Sequence, residues 1–138
     1  MSNQLNLESW KQLIGKLILS CTRVEYELFR LYKNWLPNRQ FYDDTYEDKY
    51  NKSIGITKEK VGEHNELLEE LIEMKKIAKY RHLVAHNPVH YCNKTSSWKI
   101  FDLKKEELSI DINDLKDITN RAESLSILLS KNLRIIIK

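Results

Sequence analysis

At 138 residues the chain is long enough for one domain with a modest core and too short for two. With 31% charged residues, three glycines and two prolines, the composition points to helices and excludes an all-β fold or a disordered chain. A net charge of +3 and a pI near 8.8 permit a nucleic-acid partner without demanding one.

The stretch after Met1 has no basic run followed by an apolar core, so no signal peptide is expected. No apolar run approaches the ~20 residues that a membrane span needs. Cys21 and Cys92 follow no metal or disulfide spacing, so a reduced, cytoplasmic setting is expected, with no cofactor.

From roughly Leu5 to Trp35, apolar residues recur every three or four positions: Trp10, Leu13, Ile14, Leu17, Cys21, Val24, Leu28, Leu31 and Trp35. That spacing paints one face of a long helix, which Pro37 ends. Glu25 falls beside this stripe, where an aliphatic side chain would pack more comfortably. It reads either as a boundary glutamate reaching water or as a carboxylate that orients a functional arginine or histidine.

Residues 38–64 carry the weakest pattern. Tyr42, Tyr46 and Tyr50 recur at helical spacing among Asp43, Asp44, Glu47 and Asp48, which suggests a short second helix. Gly55 and Gly62 weaken whatever follows. The carboxylates read as a solvated acidic helix end rather than a metal site.

Asn65 is a good N-cap, with Glu66 and Glu69 near the positive end of the helix dipole. Leu67, Leu68, Leu71, Met74, Ala78 and Ala85 form the stripe of a third helix, which Pro88 closes at Asn87. Val89–Cys92 and Trp98–Leu103 then read as a small hairpin around a polar turn at 93–97. The last helix should start near Asp111 to Asn113, with Leu115, Ile118, Ala122, Leu125, Leu129 and Leu133 on one face. The apolar, basic tail Leu133–Lys138 either extends this helix or pairs elsewhere. The fold class is therefore all-α: a short antiparallel helical bundle with a small β-hairpin inserted before the last helix, in one domain spanning 1–138.

The most specific stretch is Arg81-His82-Leu83-Val84-Ala85-His86-Asn87-Pro88, at the end of the third helix. At 100° per residue, Arg81 and His86 project about 140° apart and flank the apolar stripe. Lys75, Lys79, His82 and His86 line up as a basic track suited to a phosphate backbone, although an ordinary solvated lysine face has the same pattern. Leu83 and Val84 point away from the main stripe. This leaves the last turn apolar nearly all round, as if a second copy of the helix covered it across a twofold axis.

In form, Arg81 through His86 is R-(polar)-x-x-x-H, and this segment resembles the signature of HEPN domains, small helical proteins that mostly cut or bind RNA. The resemblance covers most of the chain as a pattern, but only residues 81–86 are specific. It implies a metal-independent endoribonuclease, a toxin or antiphage-defence component held in check by an antitoxin or larger partner. Such proteins commonly act as homodimers with the composite site at the interface. It also implies that Arg81 binds the scissile phosphate and His86 transfers protons, with His82 supporting from the polar position after the arginine; the residue pattern itself adds Glu25 as a supporting carboxylate and Lys75 and Lys79 as RNA contacts. One departure matters: Pro88 stands where HEPN toxins silenced by a nucleotidyltransferase carry a tyrosine, so control by AMPylation is not expected.

The chemistry suits those residue types. RNA carries its own nucleophile in the 2′-OH, so a protein must move protons near neutral pH and stabilise an anionic phosphorane-like transition state. Imidazole fits the first task and the planar, permanently charged guanidinium the second. Two rivals remain. His82, His86, His90 and Cys92 read H-x3-H-x3-H-x-C, a weak zinc pattern that Pro88 bends apart. A HEPN-like module without catalysis would instead bind RNA or a protein, with Arg81 and His86 structural and paired to Glu25.

Overall fold

A computed structural model describes residues 7–102 and 109–137. Four helices and a three-stranded antiparallel sheet follow in the order α1 (Leu7–Trp35), α2 (Tyr46–Val61), α3 (Glu66–His86), β1 (Val89–Cys92), β2 (Ser97–Phe101), β3 (Ser109–Ile110) and α4 (Ile112–Ile136). A single 3-10 turn at Phe41–Asp43 precedes α2. This is the helical bundle with a small hairpin that the sequence implies. The expected helix start at Leu5, the strand end at Leu103 and the last tail residue, Lys138, lie outside the described residues.

The long stripes of α1 and α4 form the core because they are one-sided. Leu17, Val24, Leu28 and Leu31 of α1 are fully buried, as are Leu115, Ala122, Leu129 and Leu133 of α4. α4 starts on a reciprocal capping box, in which Asp111 accepts from the Asp114 N–H and Asp114 accepts from the Asp111 N–H. The tail extends α4 to Ile136.

Helix directions refine the antiparallel expectation. α1 and α2 are antiparallel neighbours, since Tyr32 donates to Asp44 at 2.6 Å while Glu25, earlier in α1, meets Lys49, later in α2, at 3.7 Å. α1 and α4 instead lie side by side in the same direction. The Thr119 hydroxyl donates to the Leu13 carbonyl at 3.4 Å, and further along Leu19 and Tyr26 share a groove with Ser126 and Arg134.

The second helix is longer than its tyrosines suggest. It starts on Thr45, whose hydroxyl accepts from the Asp48 N–H, runs through Gly55 and ends at Gly62. There φ is +88°, a conformation that costs glycine nothing. Asp44 is not a solvated acid, because it accepts from both Tyr32 and Lys52. The Lys52 and Tyr32 hydrogen bonds hold its carboxyl below the ordinary value.

Two further expectations change. The sheet gains a third strand, β3, whose Ile110 pairs with Ile100. Leu83 and Val84 are buried by the chain itself, and α3 packs on β2 as well as on the other three helices. These two residues therefore give no reason for a second copy. Ala85, counted in the stripe, is exposed.

Candidate functional site

α3 is built to hold its last turn still. At its start the Asn65 side chain accepts from the Leu67 N–H at 2.8 Å, and Leu67, Leu71 and Met74 are fully buried. At its end Asn87 turns extended (φ −129°, ψ 144°), as a residue before proline must. The Asn87 side chain donates back to the Leu83 carbonyl at 2.9 Å, which satisfies one of the free carbonyls of the final turn.

Unlike His86, which is exposed, Arg81 keeps its expected flanking place. It is half-buried, and its Nε–H is fully enclosed with no hydrogen-bond partner. Its side chain lines a small cavity of about 40 Å³ together with Cys21, Glu25, Tyr46, Tyr50 and His82. Among the described residues, no carboxylate lies within ion-pair distance of Arg81. Glu25 shares the cavity, but its 3.7 Å ion pair is with Lys49. Burial pushes the Cys21 thiol up to about 12, and the Arg81 charge moderates that rise. Burial likewise raises the Tyr50 hydroxyl well above its ordinary value, with Cys21 and Glu25 adding to it.

The rest of the motif faces outward. His82 and His86 are exposed, one turn apart, with ring centroids 4.4 Å apart. Lys79 is exposed and lies 5.1 Å from the Tyr80 ring centre, while Lys75 is half-buried. His82 thus touches both settings: it lines the Arg81 cavity, and its ring meets that of His86 at a tilt of 46°. The other two residues of the zinc pattern sit on β1, where His90 stacks on Phe101 of β2. Among the described residues, no three His, Cys, Asp or Glu side chains converge as a metal site requires.

The structure therefore brings Arg81, His82 and Glu25 together around one cavity and His82 and His86 together outside it. Sequence reasoning missed Cys21, Tyr46 and Tyr50 as neighbours of the arginine, and Lys49 as the partner of Glu25. The only signal was the four-residue spacing of Tyr46 and Tyr50, which marks a helix face without saying what it packs on. Chemically, the arrangement offers a cation with no ion-pair partner among the described residues, which shares its cavity with Glu25 and with His82, whose ring in turn meets that of exposed His86, a set able to hold an anion and move a proton.

No protein-family model, curated protein or solved structure matches this chain. Among the described residues, no helix is long and apolar enough to cross a membrane.

Proposed function

We propose that the chain is a metal-independent endoribonuclease that cuts RNA through attack of the 2′-OH on the adjacent phosphate. The observation that carries this reading is Arg81: a half-buried guanidinium with an unpartnered Nε–H and no carboxylate within ion-pair distance among the described residues, beside exposed His82, whose ring meets that of exposed His86. A buried donor without a partner is costly to folding, and such costs concentrate at functional sites. The cavity of about 40 Å³ beside that atom has room for a water but not for a phosphate group, so an RNA phosphate would meet the solvent-reaching part of this half-buried side chain.

In the proposed reaction the 2′-oxygen bonds to phosphorus and the bond to the 5′-oxygen breaks. The products are a 2′,3′-cyclic phosphate and a 5′-OH end. Arg81 holds the non-bridging oxygens as negative charge builds on them. In this reading His86 gives its proton to the departing 5′-oxygen, and the 2′-OH proton leaves to a base, a role that would fall to His82, whose ring centre lies 4.4 Å from that of His86. Lys75 and Lys79 continue the positive track along α3 toward flanking phosphates. DNA, which lacks the nucleophile, is not cut.

The cellular role rests on the HEPN resemblance alone: a cytoplasmic toxin or antiphage-defence component, acting as a homodimer with an antitoxin or larger partner restraining it. Both cysteines are free, which suits a reduced compartment. The rival reading is a module without catalysis that binds RNA or a protein; in it Arg81 would be structural without an ion pair to Glu25, which pairs with Lys49.

The test is incubation of the purified protein with structured and unstructured RNAs in excess EDTA, beside Arg81→Ala and His86→Ala variants of verified fold. Cleavage leaving cyclic-phosphate ends, lost in both variants, supports the reading. Cleavage that survives in both removes this site, and no cleavage of any RNA favours the binding module.

A further inference from the structure

The register of the β1–β2 ladder sorts the hairpin into two faces. Residues opposite one another in an antiparallel pair share a face, and successive residues alternate. Val89 with Ile100 and Tyr91 with Trp98 therefore share one side, and His90 with Lys99 and Cys92 with Ser97 the other. Ile100 is fully buried, and Val89 and Trp98 pack on the core, so the first side faces the helices. Phe101, two residues beyond Lys99, belongs to the outer side and lies outside the core cluster.

On that outer side Phe101 stacks on His90, with ring centroids 4.6 Å apart and planes within 21°. Beside the stacked pair opens a cleft of about 540 Å³ lined by His90, Cys92, Lys94, Phe101 and Asp102 among others. That volume falls within the usual range for small-molecule sites. The segment 89–102 carries Lys94 and Lys99 against the single acid Asp102. A cross-strand ring pair alone would serve to hold the hairpin together. The cleft, with both Lys94 and Asp102 in its wall, and Lys99 on the same outer face add what a nucleotide needs: a flat π surface for the base and positive charge for its phosphate.

We propose that the outer face of this hairpin is a stacking platform for an unpaired nucleobase of single-stranded RNA. The inference deepens the reading of the chain as one that acts on RNA and rests on it. His90 follows His86 by four residues, so their Cα atoms lie at most about 14 Å apart along the chain. A base seated on the platform therefore belongs to a nucleotide close to the phosphate that Arg81 and His86 engage. Bases in a duplex hide their faces in the stack, so the platform selects single strands over duplexes.

The experiment is fluorescence anisotropy with a fluorescein-labelled, mixed-sequence single strand of 2′-O-methyl RNA, whose blocked 2′-oxygen prevents cleavage, and with its duplex in parallel. Phe101→Leu keeps apolar bulk and removes the π face, whereas Phe101→Tyr keeps it. Phe101→Leu should weaken single-strand binding about tenfold and leave duplex binding unchanged, with Phe101→Tyr close to the original protein. If Phe101→Leu loses its fold, His90→Ala, on the other half of the same pair, is read by the same contrast. No binding of the single strand by the original protein, or equal losses on single strand and duplex, would overturn the platform, as would unchanged binding by a folded variant. Binding of the probe does not depend on cleavage. Absence of cleavage in EDTA would therefore sink the ribonuclease reading alone, while the Phe101 contrast decides the platform.

Discussion

Along α3, the stretch from Asn65 to Ala78 and the stretch from Arg81 to His86 treat polar groups in different ways. In the first, Asn65 caps the opening turn and Leu67, Leu71 and Met74 vanish into the core. In the second, Arg81 encloses an Nε–H with no partner while two histidines stand in solvent. One part of the helix obeys the rule that buried donors are satisfied, and the other breaks it at a single atom. The contrast has a physical use. A rigid, well-anchored helix can hold a reactive turn in place, so anchor and site can be altered separately.

The sharpest way to break the comparison is to show that the two parts do not separate. His86→Ala should lower the cleavage rate by about a hundredfold to ten-thousandfold, the usual contribution of a proton-transfer group. Because His86 is exposed, stability should stay within about 0.5 kcal/mol of the starting protein in a urea titration. A variant that unfolds instead would make His86 structural. The complementary change is Leu71→Ala, which opens a cavity in the core and should cost about 2–5 kcal/mol. Under conditions where this variant remains folded, cleavage per folded molecule should persist. A loss of rate larger than the loss of folded protein would tie the core directly to the chemistry.

Arg81 gives the smaller and more diagnostic effect on stability. Arg81→Met fills much of the same space and removes the unpartnered donor. It should therefore leave stability unchanged or raise it by about 1 kcal/mol while abolishing cleavage. Thermal melting and the EDTA cleavage assay, run side by side, check both halves. A clear loss of stability would mean that the guanidinium is a structural group after all.

What could be read from the sequence follows from how one-sided each segment is. α1 and α4 are long, with stripes that stay on one face, and their extent and core residues were legible. α2 was not, because its buried positions are Tyr50, Ser53 and Thr57, two of which are small hydroxyl residues that leave no apolar rhythm. Glu27 was passed over too. It is buried and held by Arg30 at 2.8 Å, a pairing that charge spacing alone does not distinguish from a surface one. At the site, the motif and the stop at Asn87-Pro88 were legible, since they depend on neighbouring residues only. The cavity around Arg81 was not, because α1 and α2 supply its walls and the Glu25–Lys49 pair joins two elements far apart in sequence. Leu83 and Val84 misled for the same reason: the sequence shows that they need cover but not that the chain's own fold supplies it.

The two cysteines carry the comparison to its finest scale, because one lies in the closed cavity and the other at the open hairpin. The thiolate is the form that reacts with alkylating agents, so reactivity follows the thiol's proton affinity and its access. Burial lifts Cys21 to about 12, which leaves almost no thiolate near pH 8. The Thr95 hydrogen bonds hold Cys92 below its ordinary value, and it is only half-buried. Iodoacetamide at pH 8 should therefore label Cys92 first, and Cys92→Ser should leave the folded protein unlabelled until denaturant is added, as read by mass spectrometry of the intact chain. Arg81→Met then sharpens the point. Without the nearby cation the Cys21 thiol should hold its proton still more firmly, so its labelling should slow further. Faster labelling of Cys21 in that variant would show that the arginine's main service is to close the cavity rather than to meet a phosphate.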